Sequence, residues 1–254
     1  MSSDLSCAAL ETGRPGLPET QMVIPCLHNW SMTYPEAAAL QRQLAAEVTL
    51  VNRLPQPVRL VAGVDVSYQP HGELFFAGVV VLERPGLRVV EEASARGRVE
   101  FPYVPGFLSF RELPVVIEAF RNLNRVPDAI LVDGQGIAHP RRLGVASHLG
   151  LWLGLPTVGC AKSRLCGEYE PPGPARGDRQ PLQLGGEQVG VVLTTRDRVK
   201  PLFISPGHLV DIDTAAQLTL ECCGRYRMPE PTRLAHHLTN RLRKEYLAEM
   251  ASEE

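Results

Sequence analysis

The chain has no apolar run near the roughly 20 residues that a bilayer span requires, which excludes a transmembrane helix. Its six cysteines (Cys7, Cys26, Cys160, Cys166, Cys222 and Cys223) form no CxxC pair and fit no disulfide scaffold, so most are expected as buried thiols. The first thirty residues lack the basic start and apolar centre of a signal peptide. A cytoplasmic location is expected, and in a eukaryote also the nucleus. Basic excess is missing as well: 26 Lys and Arg stand against 28 Asp and Glu, so net charge makes no case for nucleic acid. Charge distribution makes a better one. No acid lies between Asp133 and Glu168, while Arg141, Arg142, Lys162 and Arg164 do. A second basic concentration, from Arg225 to Lys244, reads as a solvated helix face. No repeat and no linker splits the sequence. A loose extension over 1–33 therefore precedes one domain over 34–250, and 254 residues suffice for a substantial core.

What is present centres on Ala129-Ile130-Leu131-Val132-Asp133-Gly134-Gln135-Gly136-Ile137-Ala138-His139-Pro140. A short apolar run bounded by turn residues predicts a strand buried on both faces, with Asp133 at its carboxyl end. Open α/β sheets place their chemistry at such ends. The glycines remove side chains around Asp133 and leave a ligand room to approach the backbone.

Upstream, Pro35 starts a helix that is expected to run to about Val51. Three strand-like runs follow, at 58–68, 74–82 and 87–100, and predict an antiparallel meander. Asp65 is the anomaly inside the most apolar of them, because a buried carboxylate needs hydrogen bonds, a cation or a metal. Pro102-Tyr103-Val104-Pro105-Gly106 is a proline-stiffened loop with an aromatic tip, and a helix from about Pro114 to Leu123 places Glu112 at its entrance. Beyond Asp133 come an apolar helix over 143–153 and a short strand over 157–162 ending on Lys162. This alternation predicts parallel pairing. The Pro- and Gly-rich 168–186 reads as a surface loop, 189–194 and 202–204 as strands, and Ser205-Pro206-Gly207-His208 as a turn. Helices are expected at about 214–223 and 233–250. The fold class is α/β: a three-stranded antiparallel meander continued by parallel strands, with helices on both faces.

Asp65, Glu112 and Asp133 form a carboxylate set without thiolates or a histidine cluster, which favours Mg²⁺ or Mn²⁺ and metal-assisted phosphodiester hydrolysis. The plain alternative for each acid is a helix cap or an ion pair. Lys162 is the only lysine before Lys200 in an arginine-rich chain, which suggests a compact ammonium near a phosphate or water. His139 and His208 each follow a glycine-bearing turn; a surface role is the ordinary one, and His208 is a candidate for orienting water or supporting a metal ligand.

Five blocks together resemble endonuclease V, the inosine-specific nuclease family: 61–67 (VAGVDVS), 102–112 (PYVPGFLSFRE), 131–140 (LVDGQGIAHP), 158–163 (VGCAKS) and 205–208 (SPGH). They occur in family order. The resemblance implies a ribonuclease H-like fold and a metal site made by Asp65, Glu112 and Asp133, with His208 nearby and Lys162 as the catalytic lysine. It implies that Pro102, Tyr103, Val104 and Pro105 form a wedge whose tyrosine fills the gap left by a flipped-out base. The hypoxanthine pocket maps onto Gly106, Leu108, Gly134, His139, Gly144 and Leu165, with Gly136 in the same floor. The implied reaction cuts the second phosphodiester on the 3′ side of inosine and leaves 3′-hydroxyl and 5′-phosphate ends. The partner would be inosine-containing DNA or RNA, met by a monomer away from membranes. Position 104 carries Val in place of Ile, and position 135 Gln in place of Asn. Two other readings stay open: a structure-specific ribonuclease H-like nuclease, and a non-catalytic binder of inosine-containing or single strands. A dinucleotide enzyme is disfavoured, because Asp133-Gly134-Gln135-Gly136 lacks the third glycine of a Rossmann turn.

Overall fold

A computed structural model describes residues 22–69, 74–99 and 101–252. The turn expected at 70–72 and the first part of the N-terminal extension lie outside the described residues. β1 (Leu60–Tyr68), β2 (Leu74–Glu83) and β3 (Arg88–Arg98) form the expected meander. β4 (Ala129–Val132) pairs parallel with β1, and β5 (Thr157–Ala161) parallel with β4. Parallel neighbours need long crossovers. α2 (Leu108–Arg121) precedes β4, and α3 (Val145–Leu153) joins β4 to β5. Beyond β5 the sheet turns antiparallel through β8 (Leu202–His208), β7 (Glu187–Leu193) and β6 (Arg179–Leu184), in the order β3-β2-β1-β4-β5-β8-β7-β6. Parallel pairing is thus confined to the middle of the sheet.

Side-chain alternation along β4 divides the core into two layers. Ile130 and Val132 pack with α2 and α3, whereas Ala129 and Leu131 face the layer under α4 (Ile212–Glu221). α5 (Glu230–Ser252) lies over β1 and β2, with Ala235 and Leu238 against Val80 and Leu82. Ile130 and Leu131 are fully buried and contribute roughly 1.5–3 kcal/mol each. Register matters here: a one-residue slip would draw Asp133 into the sheet at a cost of several kcal/mol. Among the described residues no helix is long and apolar enough to cross a membrane.

The structure departs from the sequence pattern at five places. α2 begins at Leu108, so Pro114 sits inside it and Glu112 lies just past its first turn rather than at its entrance. Burial of Phe110, Leu113, Val116 and Phe120 on one face outweighs the ladder bond that Pro114 forfeits. Part of the 168–186 loop is strand β6, an edge strand in which only Leu182 is buried; Pro181 is tolerated there. Ser205-Pro206-Gly207-His208 belongs to β8 instead of a turn, and a bulge opposite Thr157 and Val158 accommodates it. Finally, residues 22–33 have no regular structure yet pack firmly. Trp30 stacks on Trp152 at 5.1 Å between ring centroids, and His28 and His148 meet through their Nε2 atoms at 2.7 Å. α1 (Tyr34–Ala45) follows and stops short of the expected Val51.

Candidate active site

Val64 lies opposite Val132, so Asp65 and Asp133 leave the β1–β4 ladder side by side. Glu112 approaches from α2 above them. The three acids line one cavity of about 190 Å³, whose walls include Val64, Val132, Leu113 and Val145. Apolar walls make charge costly here. Burial, reinforced by the charges of Asp65 and Asp133, pushes the Glu112 carboxyl up to about 8. Burial also raises Asp65, with Asp133 adding to the shift while Thr239 and His236 oppose it.

Each aspartate has a specific partner. The Lys162 ammonium donates to Asp133 Oδ2, and Lys162 emerges from the carboxyl end of β5, next to β4. Thr239 Oγ1 donates to Asp65 Oδ2 at 2.8 Å, and His236 Nδ1 lies 3.1 Å from the same oxygen. His236 and Thr239 come from α5, in the segment read from sequence as a solvated helix face. Their only sequence signal is an i, i+3 polar pair beside the apolar Ala235 and Leu238.

Among the described residues no three His, Cys, Asp or Glu side chains are closed into a chelating cluster. The donor set nonetheless suits a hard divalent cation. Three carboxylates share one cavity, where the two aspartates raise the proton affinity of Glu112, and Mg²⁺ needs only one or two carboxylates beside its waters and phosphate oxygens.

The aromatic loop is held at its base. Phe101 and Phe107 are buried with Phe110 and Ala37, leaving the Tyr103 ring 65% exposed at the tip. Gly106 follows with a φ of +82°, a conformation that costs glycine little. Its carbonyl accepts from three side chains: Gln41 Nε2 at 3.0 Å, Arg141 Nη2 at 2.8 Å and His139 Nε2 at 3.1 Å. Gln41 is wholly buried on α1 and also receives Arg141 Nε on its amide oxygen. Gln41 carries no sequence signal, and Arg141 stands out only as part of the basic stretch between Asp133 and Glu168. Leu108 and Leu165 stand exposed.

His139 is buried, and both its ring nitrogens are engaged within the protein: Nε2 on the Gly106 carbonyl, Nδ1 accepting from the Arg141 amide. It therefore anchors the aromatic loop instead of presenting a ring nitrogen to a base. Burial and the Arg141 charge push the His139 ring down to about 4. The unfolded chain protonates this imidazole below about pH 6.5 and the folded protein only near pH 4. Between those values the unfolded state binds more protons, so stability falls as pH falls, by about 2 kcal/mol at pH 5. Glu112 contributes the opposite slope, because its folded carboxyl holds a proton over pH 4.5–8. The difference between wild type and His139→Gln isolates the histidine. Thermal melts at pH 7 and pH 5 should show the variant losing less stability; equal losses would contradict this assignment.

Two other sequence expectations change. The clearance at Gly134, Gly136 and Gly144 is taken up by the chain itself: a Cβ at these positions would meet Val145 Cγ1 at 2.3 Å, Pro206 O at 2.0 Å and Gln135 O at 2.3 Å. Their amides are also bonded internally, to Val132 O, Ser205 Oγ and Gly136 O. His208 is not brought to the carboxylates. It pairs with Thr157 at the start of β5, three residues or about 10 Å along the strand from the level of Asp133. Its Nδ1 accepts from the Thr49 amide at 3.3 Å. His236 occupies the place expected of His208.

A family model described as endonuclease V matches residues 42–237. Endonuclease V of Nostoc punctiforme is 49% identical over 213 residues, 84% of this chain and 96% of that protein. The crystal structure of endonuclease V from Streptomyces avermitilis superposes with a TM-score of 0.82 at 45% identity, covering 90% of this chain and 100% of that one. A crystal structure of Ciona intestinalis endonuclease V in complex with a 23mer DNA containing an inosine followed by a ribo-adenosine gives 0.73 at 26% identity, covering 84% and 97%. The fold is ribonuclease H-like, as in these neighbours. The carboxylate cavity, the lysine at its rim and the matched length leave one assignment: this chain belongs to the endonuclease V family, and it is an endonuclease.

Proposed function

We propose that this endonuclease recognises inosine in a nucleic-acid strand by base flipping and hydrolyses the second phosphodiester on its 3′ side, in DNA repair, inosine-RNA processing or both. The observation that carries the reading is the shared cavity of Asp65, Glu112 and Asp133 with Lys162 at its rim. The inosine-containing DNA bound by the Ciona protein supports the choice of base.

Asp65, Glu112 and Asp133 would hold Mg²⁺, or Mn²⁺ in its place, and such an ion supplies the positive charge that polarises phosphate and acidifies water. The chain's own groups do the rest. Water oxygen joins phosphorus and the P–O3′ bond breaks, so the upstream strand keeps a 3′-hydroxyl and the downstream strand a 5′-phosphate. Lys162 Nζ, at the cavity mouth beside Asp133, brings an ammonium to the phosphate oxygens. His236 and Thr239 hold Asp65 in one orientation. Tyr103, with Pro102, Val104 and Pro105 stiffening its loop, fills the space of the flipped base, and Gly106, Leu108 and Leu165 border the pocket that receives it. The acting unit in this reading is a monomer.

Incubation with DNA and RNA strands carrying one inosine, with Mg²⁺ or Mn²⁺, tests the reading. Cleavage at the second 3′ phosphodiester of the inosine strand alone is expected. Cutting that ignores inosine would establish the structure-specific nuclease, and tight binding without cutting the binder. Tyr103→Ala should weaken binding of the inosine strand roughly tenfold, the loss of about one stacking contact. An unchanged affinity in a titration would remove the wedge.

A further inference from the structure

Arg227 is unused by the chemistry above, yet it is built into the site. It lies in the connection between α4 and α5, and its own carbonyl accepts from Thr195 Oγ1 at 2.7 Å and from the Cys223 thiol at 3.6 Å. Its Nη2 donates to two main-chain carbonyls, that of Lys162 at 3.1 Å and that of Pro201 at 2.8 Å. Its Nε is buried with no hydrogen-bond partner, a cost the fold sustains for the sake of the other contacts. Burial lowers the guanidinium's pKa and the Asp133 charge raises it, so Arg227 lies within reach of the carboxylate cluster's field.

The location explains the need. The β5–β8 ladder ends with Ala161 opposite Phe203, and Pro201 has no N–H with which to extend it. Two carbonyls cannot bond each other, but one cationic donor between them can tie the strands together just past the last rung. Lys162 is the first residue beyond that rung. Its side chain is flexible and half-exposed, so the placement of Nζ on Asp133 depends on how firmly its main chain is held.

We propose that Arg227 is a positioning residue for strand cleavage: by pinning the Lys162 carbonyl to that of Pro201, it holds the Lys162 ammonium against Asp133 where the phosphate arrives. The inference rests on the functional reading above. The test is a double-mutant cycle of Arg227→Ala and Lys162→Ala, read by single-turnover cleavage of a single-inosine strand at saturating protein and by affinity for the same strand. Arg227→Ala should lower the saturated rate roughly thirtyfold with affinity changed less than about threefold, and in the Lys162→Ala background it should change the rate by less than about threefold. An equal loss in both backgrounds would make Arg227 a general structural prop, and an unchanged rate, or a loss confined to affinity, would also overturn the proposal. Should Arg227→Ala fail to fold, Arg227→Gln, too short to bridge both carbonyls, carries the same cycle. A wild type that leaves the inosine strand uncut would sink the functional reading itself; one that cuts while the arginine variant cuts equally well would sink only this inference.

Discussion

Asp133→Asn should lower the single-turnover cleavage rate at least a thousandfold, about 4 kcal/mol of transition-state stabilisation, while affinity for an inosine-containing strand stays within about tenfold. Three features of Asp133 converge on this value. It leaves the sheet beside Asp65, it lines the cavity with Glu112, and it accepts the Lys162 ammonium. An amide is nearly the same shape but carries no charge for a cation and is a poorer acceptor for the lysine. Asp65→Ala should behave alike. Folding should survive either change, because each removes one of two neighbouring aspartate charges that crowd the cavity. With Asp133 neutral, the Glu112 carboxyl should also titrate at lower pH, since one of the charges that raise it is gone. Near-normal turnover in the asparagine variant, measured with the metal in excess, would remove the carboxylate cavity from the reaction.

The second large effect concerns stability. Gly136→Ala should destabilise the fold by about 3–5 kcal/mol, the range of severe overpacking combined with lost buried hydrogen bonds. The added Cβ would lie 2.0 Å from Pro206 O and 2.8 Å from Ser205 O. These are backbone atoms, so no rotamer change relieves the overlap. Relief requires the 133–140 stretch and β8 to move apart, which strains the Gly136 amide bond to Ser205 Oγ at 2.8 Å and the Ile137 amide bond to Pro206 O at 2.9 Å. Because that stretch begins at Asp133, cleavage should fall along with stability. Denaturant unfolding at pH 7 measures the first effect. A loss under 1 kcal/mol would show that the two segments are packed more loosely than described.

The two variants probe the same twelve residues and separate what could be read from their pattern from what could not. The apolar run ending in an acid announced a strand buried on both faces, and β4 is fully buried. The acid within β1 announced a partner, which proved to be two side chains of α5, Thr239 and His236, while a second acid stands beside it across a parallel ladder. The glycines were read as room for a ligand, but they serve close packing of the chain on itself. Composition is the same in either case. Which surface a glycine faces depends on the segment folded over it, and for Gly136 that segment, Ser205–Pro206, is some 70 residues away in the sequence.

Local pattern also misjudged the prolines. Pro114 read as a helix start, Pro181 as part of a loop and Pro206 as part of a turn, yet they lie in a helix interior, an edge strand and a bulged strand. In each case burial of the neighbouring side chains, or an edge position that needs no donor, offsets the missing N–H. The histidines fared similarly. His208 reads from sequence as a turn residue near the site, but it ends β8 opposite the start of β5; His236 sits in a charged helix and reaches Asp65.

The sequence by itself determined the element types in the meander and the central strands, the three carboxylates, the scarce lysine and the stiffened aromatic loop. Those follow from side-chain period, β-branching, proline geometry and the cost of burying charge, all of which act within a few residues. Tertiary structure alone decided that Asp65 and Asp133 stand abreast with Glu112 over them, that α5 supplies the histidine, that Gln41, Arg141 and His139 converge on the Gly106 carbonyl, and that Arg227 ties Lys162 to β8. Those depend on contacts between segments tens to more than a hundred residues apart, whose geometry is set by sheet order and helix packing rather than by any local pattern.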